Sequence, residues 1–217
     1  MPEDAPSSTA AAFYFDLGSP EAYLAAERIL HVLGAPAEWQ PVLARELGGA
    51  ARDAAAGWST TDGNHAHRRA QIEERALELG LQPMRWPQPF PFDSSLAMRV
   101  AAYARSIGRT VPFAQAAFRQ AFAGGRSLAA PDNVLIAAAA CEMHPSAVLR
   151  GAEMRSVGEQ LRAATQAAAE LGLREVPAVR VGTALFQGEG SPEAAAAHIR
   201  RERERLEGSL TGERLGL

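Results

Sequence analysis

The stretch Phe13-Tyr-Phe-Asp-Leu-Gly-Ser19-Pro20-Glu-Ala-Tyr23-Leu24 decides how this chain folds. Its aromatic start reads as a β-strand over residues 12–16, Leu17-Gly18 ends that strand, and a helix begins at Pro20. Proline suits the first helical position, where its missing N–H is no loss and its fixed φ is already helical. Ser19, just ahead of it, is a natural N-cap. The turn therefore sets a hydroxyl beside unpaired backbone N–H groups and the positive end of a helix. Such a place stabilises anions, thiolates included.

Outward from this turn, Ala22, Tyr23, Ala26, Ile29, Leu30 and Leu33 recur at helical spacing until Gly34. Ala37–Leu43 reads as a second strand, with Pro41 marking an edge or an end. Strand, helix and strand form a unit whose strands should run parallel with a right-handed crossover. Residues 44–64, rich in glycine and threonine, read as a long loop with one short helical turn, a length often associated with function. A helix from His65 to Leu79 follows, and four prolines in Gln82–Phe92 predict an extended connector. From Ser94 to Leu171 the pattern is helical, with breaks near Gly108, Gly124-Gly125, Pro131, Pro145 and Gly151. Val176–Gly182 and Ala184–Gly188 then read as short strands joined at Gly182-Thr183, and a helix over 192–207 closes the chain. The reading is α/β. Residues 1–11 form a flexible tail, and 12–217 form a single domain whose βαβ and ββα halves pair around a helical insertion over 64–172.

Composition narrows the chemistry. A formal net charge of −3 gives no support to nucleic-acid binding. No apolar run approaches the ~20 residues of a membrane span, and the acidic N-terminus lacks the plan of a signal peptide; a cytoplasmic protein is expected. All 22 basic residues are arginine, which removes every mechanism that needs a lysine, such as a Schiff base or a phosphate-binding P-loop. The single cysteine, Cys141, allows no intramolecular disulfide and lies in an apolar helical run, as a buried, inert thiol does. His65 and His67 stand two apart with no third ligand, so no metal is expected. No Gly-x-Ser-x-Gly elbow supports a hydrolase.

Four segments, in order, resemble the 2-hydroxychromene-2-carboxylate isomerases and kappa-class glutathione transferases, a subgroup of the DsbA-type thioredoxin-fold family. They are the serine loop Phe13–Leu24; the connector Pro89-Phe-Pro-Phe-Asp-Ser-Ser-x-Ala97-x-Arg99; Val176-Pro177; and Leu185-Phe-Gln-Gly188. With the element order, the resemblance spans about residues 12–205. It implies a DsbA-like thioredoxin fold, βαβ–ββα with a large helical insertion. It also implies that Val176-Pro177 is the fold's cis-proline, with the Val176 backbone holding a thiol cofactor.

Disulfide oxidoreductases of this fold carry Cys-x-x-Cys at the first helix; here those positions read Ser19-Pro20-Glu21-Ala22, so a disulfide oxidoreductase is not expected. In the resembling subgroup the serine hydroxyl hydrogen-bonds the sulfur of glutathione and favours its thiolate. The resemblance thus implies a glutathione-dependent (or other low-molecular-weight thiol-dependent) isomerase or transferase acting on a small hydrophobic, aromatic electrophile, with Ser19 catalytic. The family's usual acid after Phe-x-Gly is replaced by Gly190, with Glu189 the nearest carboxylate. Its usual lysine is missing, leaving Asn64, His65, His67, Arg68 and Arg69 nearby. Val176, Pro177, Asn64, Arg68 and Glu189 are therefore the expected thiol-binding residues. Glu21 would oppose a thiolate by like-charge repulsion. The alternative is a catalytically silent DsbA-like binding protein. Expected partners are a small-molecule substrate, neither nucleic acid nor membrane, and the sequence is compatible with a homodimer.

Overall fold

The computed structural model describes residues 10–48, 58 and 65–214. Its sheet has four strands in the order β2-β1-β3-β4, where β1 is Ala11–Phe15, β2 Ala37–Pro41, β3 Ala178–Val181 and β4 Ala184–Gln187. β1 runs parallel to β2, with Phe13 opposite Trp39, and antiparallel to β3, with Phe13 opposite Val179. α1 (Pro20–Leu33) makes the crossover and ends at Gly34, whose φ of 60° is the left-handed conformation that a helix C-terminus favours for glycine.

Every residue of β1 is buried, because both faces of the sheet are covered. Phe13 and Phe15 point with Trp39 and Phe118 into the larger core, and the Phe13 and Trp39 rings meet edge to face at 4.9 Å. Ala12 and Tyr14 face the other way, into a smaller cluster with Val42, Leu47 and Leu173. The alternation is the period-2 rule of a strand, with both sides used.

The helical segment between β2 and β3 comprises α2 (His65–Glu78), α3 (Ser95–Ser106), α4 (Thr110–Phe122), α5 (Pro131–Ala139), α6 (Pro145–Glu153) and α7 (Arg155–Glu170). α4 packs on α1, and α7 packs on β2. The closing helix α8 (Ser191–Arg214) lies against α1, β3 and β4. No helix among the described residues is long and apolar enough to cross a membrane.

The structure moves several element boundaries, each for a visible reason. β1 covers 11–15 rather than 12–16, because Asp16 leaves the ladder to bind other backbone groups, and Ala11, expected in the flexible tail, belongs to the strand. β2 stops at Pro41 rather than Leu43: the Leu43 N–H donates to Thr165 Oγ1 at 2.9 Å and the Ala44 N–H to Asp16 Oδ2 at 3.0 Å, so neither continues the sheet. The last helix starts at Ser191 and runs to Arg214 rather than 207. The expected break at Gly151 falls instead at Met154, where ψ is 130°.

Gly151 lies inside α6, against α3. A Cβ there would come within 2.6 Å of Tyr103 Cγ, so glycine sets how closely the two helices approach. Gly151→Ala should gain about 1 kcal/mol in helix propensity and lose about 1–3 kcal/mol to overpacking. Urea unfolding should show a net loss; a variant more stable than the parent would refute the close packing.

Candidate functional site

The serine loop is built around one buried carboxylate. Asp16 Oδ1 accepts the Gly18 N–H at 2.8 Å and the Ser94 hydroxyl at 2.8 Å, and Oδ2 accepts the Ala44 N–H. The Asp16 carbonyl also accepts the Ser19 N–H at 3.0 Å. The end of β1, the exit of β2 and the start of α3 are thereby tied to one side chain. Burial pushes its carboxyl above the ordinary aspartate range, against the pull of Gly18, Ala44, Ser94 and the nearby Arg45.

Ser19 has extended backbone (φ −95°, ψ 117°) and caps α1: its Oγ accepts the Ala22 N–H at 3.1 Å. The hydroxyl proton is donated to Glu21 Oε2 at 3.2 Å. Glu21 Oε1 in turn accepts from Arg68 Nη2 at 2.6 Å and Nε at 3.1 Å. The repulsion expected of Glu21 is therefore met by a facing cation, carried on α2. The Arg68 guanidinium also lies 4.8 Å over the buried Trp58 ring. Arg69 instead stacks on Trp86 and Phe90, at 4.9 and 5.6 Å.

A cavity of about 480 Å³ opens at this turn. Ser19, Arg68, Val176 and Glu189, four of the six residues singled out in the sequence, share its wall. Trp58, Pro91 and Phe92 give it apolar surface. Pro177 sits one residue behind the wall; its carbonyl accepts the Gly188 N–H at 2.9 Å, and the Val176–Pro177 peptide is cis. Asn64 lies outside the described residues. Val176 precedes the β3–β4 ladder, which begins at Ala178 opposite Gln187, so its backbone N–H and C=O take no part in the sheet.

Glu189 is on the wall, yet its carboxylate already contacts two cations. It pairs with the buried Arg28, and lies 3.4 Å from Arg75 Nε. Arg28 also donates to the Glu189 carbonyl at 2.6 Å and to Glu193 at 2.7 Å, fastening the turn after β4 onto α1.

The wall includes residues that sequence reasoning passed over. Arg45 and Asp93 form an ion pair at 3.4 Å, and Glu175 stands directly before Val176. Only the position of Glu175, adjacent to the valine-proline pair, could have flagged it. Cys141 is buried, its thiol donates to the Ala137 carbonyl at 3.4 Å, and burial pushes its pKa up. No group of three or more His, Cys, Asp or Glu among the described residues is placed to hold a metal ion.

Residues 11–200 match the sequence profile of the DSBA-like thioredoxin domain. Among solved structures, the chain is similar to a 2-hydroxychromene-2-carboxylate isomerase, with 17% identity and a TM-score of 0.74 over 91% of this chain and 98% of that one. A probable DsbA oxidoreductase from Streptomyces coelicolor gives 16% identity and a TM-score of 0.69 over 89% of each chain. The cytosolic disulfide reductase DsbM from Pseudomonas aeruginosa, solved with GSH, gives 13% and 0.58 over 90% of this chain and 99% of that one. No curated protein sequence matches the chain.

Asp16→Asn keeps the shape of the hub but replaces an acceptor with a donor, which should cost about 1–3 kcal/mol. The pH dependence has a definite sign. A carboxyl whose pKa is raised by folding binds its proton more tightly in the folded state. Its contribution is greatest in acid and is lost as pH rises from the ordinary aspartate range to the raised value. Relative to Asp16→Asn, the parent protein should therefore lose stability as pH rises through that window. Urea unfolding of both proteins across the acidic range measures the difference, and a slope of opposite sign would refute the raised value.

Proposed function

The chain belongs to the DSBA-like thioredoxin domain family, and from that premise we propose that it is a thiol-dependent isomerase or transferase acting on a small hydrophobic or aromatic electrophile. The thiol is glutathione or another low-molecular-weight thiol, and the role of Ser19 is to stabilise its thiolate. One observation carries the reading: the Ser19 hydroxyl, at the N-terminus of α1, lines a cavity of about 480 Å³ together with Val176. Small-molecule sites commonly occupy about 300–1,000 Å³.

The donor set suits a sulfur anion. Ser19 Oγ keeps its cap bond from Ala22 while its proton moves from Glu21 to the ligand; Glu21 stays compensated by Arg68. A hydrogen bond to an ionised acceptor contributes about 1.5–3 kcal/mol, enough to lower a thiol pKa by roughly 1–2 units. The helix terminus adds about 0.3–1 kcal/mol in the same direction. When bound, the thiolate supplies the nucleophile that adds to an electrophilic carbon of the substrate. Trp58, Pro91 and Phe92 offer that substrate an apolar surface. Exchange between two thiols of the same chain is closed, since Cys141 is the single cysteine.

A second reading, a binding protein without catalysis, is favoured by one fact: the Ser19 hydroxyl already has both an acceptor and a donor partner in its own helix. Thiol binding separates the two. Isothermal titration with glutathione and other small thiols should show binding at low-millimolar concentration or tighter, and no binding would sink the enzyme reading. Ser19→Ala should raise the pKa of the bound thiol, read from thiolate absorbance, and cut thiol-dependent turnover by about 10–100-fold. Ser19→Thr, which keeps both cap and donor, should retain most of the turnover.

A further inference from the structure

The charges on the cavity wall are matched in pairs, with one exception. Arg68 pairs with Glu21, and Arg45 with Asp93. Glu189 is held by Arg28 and Arg75, and Asp16 is surrounded by three donors. Among the described residues of the wall, Glu175 alone has a carboxylate with no ion pair and no hydrogen bond. Its neighbour Arg174 does not compensate it, because that guanidinium donates to the carbonyls of Ala169 and Leu173.

The backbone under Glu175 is fixed. Gln187 Oε1 accepts the N–H groups of Arg174 and Glu175, at 2.7 and 3.2 Å, while its amide donates to the Gly172 carbonyl at 3.3 Å. Gly188, at φ 85°, faces the same carboxylate; a Cβ there would stand 3.3 Å from Glu175 Oε1. The unpaired carboxylate thus lines the cavity from a fixed backbone, next to Val176, with the bare backbone of Gly188 beside it.

We propose that Glu175 is a specificity residue for a cationic amine on the thiol ligand, so that the site prefers an aminothiol to a thiol bearing carboxylates. The inference rests on the thiol reading of the cavity. An ammonium entering the cavity finds a carboxylate without a competitor. An entering carboxylate finds no cation free among the described residues of the wall: taking Arg68 strips Glu21 of its compensation beside Ser19, and taking Arg45 strips Asp93. The exchange of one ion pair for another gains little, whereas a new charge-assisted hydrogen bond is a net gain. An aminothiol bound as thiolate and ammonium also adds no net charge to a wall whose described residues carry more carboxylates than guanidinium groups.

The test is isothermal titration of the full chain, at neutral pH and low salt, with cysteamine, mercaptoethanol, mercaptopropionate and glutathione. Cysteamine should bind about tenfold more tightly than mercaptopropionate. Glu175→Gln should close that gap, and Ser19→Ala should weaken all four thiols together. Thermal unfolding verifies that Glu175→Gln is folded, which its lack of side-chain partners makes the expected result. Equal binding of the four probes, tighter binding of either carboxylate-bearing thiol, or a gap that survives Glu175→Gln would overturn this inference and leave the thiol reading standing. No binding of any thiol would overturn both.

Discussion

The bonds made by the Asp16 carboxylate are the constraint on which the rest of the site depends. A buried carboxyl must find donors or lose its charge, and this one finds them on three separate segments, at Gly18, Ala44 and Ser94. Their convergence ends β1, diverts the chain after β2 and anchors the approach to α3. Ser19 inherits its position from this arrangement, since its N–H is bound to the carbonyl of the same aspartate. The apolar core, with Phe13, Phe15 and Trp39 at its centre, gives β1 its burial. Asp16 converts that burial into a defined turn.

Much of this architecture is legible in the sequence because it follows from periodicity. Aromatic residues before Gly18, helical spacing after Pro20, and the glycine turn at 182 identify β1, α1 and the β3–β4 hairpin without reference to any distant residue. The hidden part consists of side chains that act on remote backbone. Thr165 ends β2 from α7, Ser94 secures Asp16 from the start of α3, and Arg68 meets Glu21 from α2. None of these pairings leaves a local pattern. Gly151 misleads for a related reason: glycine reads as a breaker, but here it makes room for Tyr103 inside a continuous helix. Glu175 is the extreme case, because its proposed role lies in lacking a counter-ion, and that becomes visible only when the other charges among the described wall residues have been matched.

An arginine-only complement of cations shapes the site in its own way. A guanidinium can bind a carboxylate through two nitrogens while its flat face rests on an aromatic ring. Arg68 does both, with Glu21 and Trp58. Arg28, almost fully buried, spans Glu189 and Glu193 and thereby locks the turn after β4 to α1. The charged groups around the cavity therefore serve as framework. Among the described residues, that leaves polarity at the site to be set by few groups, chiefly the Ser19 hydroxyl, the Val176 backbone and the Glu175 carboxylate.

The hydroxyl at the tip of α1 has a single proton to donate, and in the structure Glu21 accepts it as a hydrogen bond. Whatever binds Ser19 through that proton must outcompete a carboxylate, so the turn works as a threshold. Water, a neutral thiol or another uncharged acceptor offers a weaker bond than the resident carboxylate does. A full anion held against the helix terminus offers enough, and the displaced carboxylate keeps Arg68. On the proposed thiol reading, the bond from Ser19 to Glu21, which looks at first like an obstacle to binding, is therefore a filter on the ionisation state of what is bound.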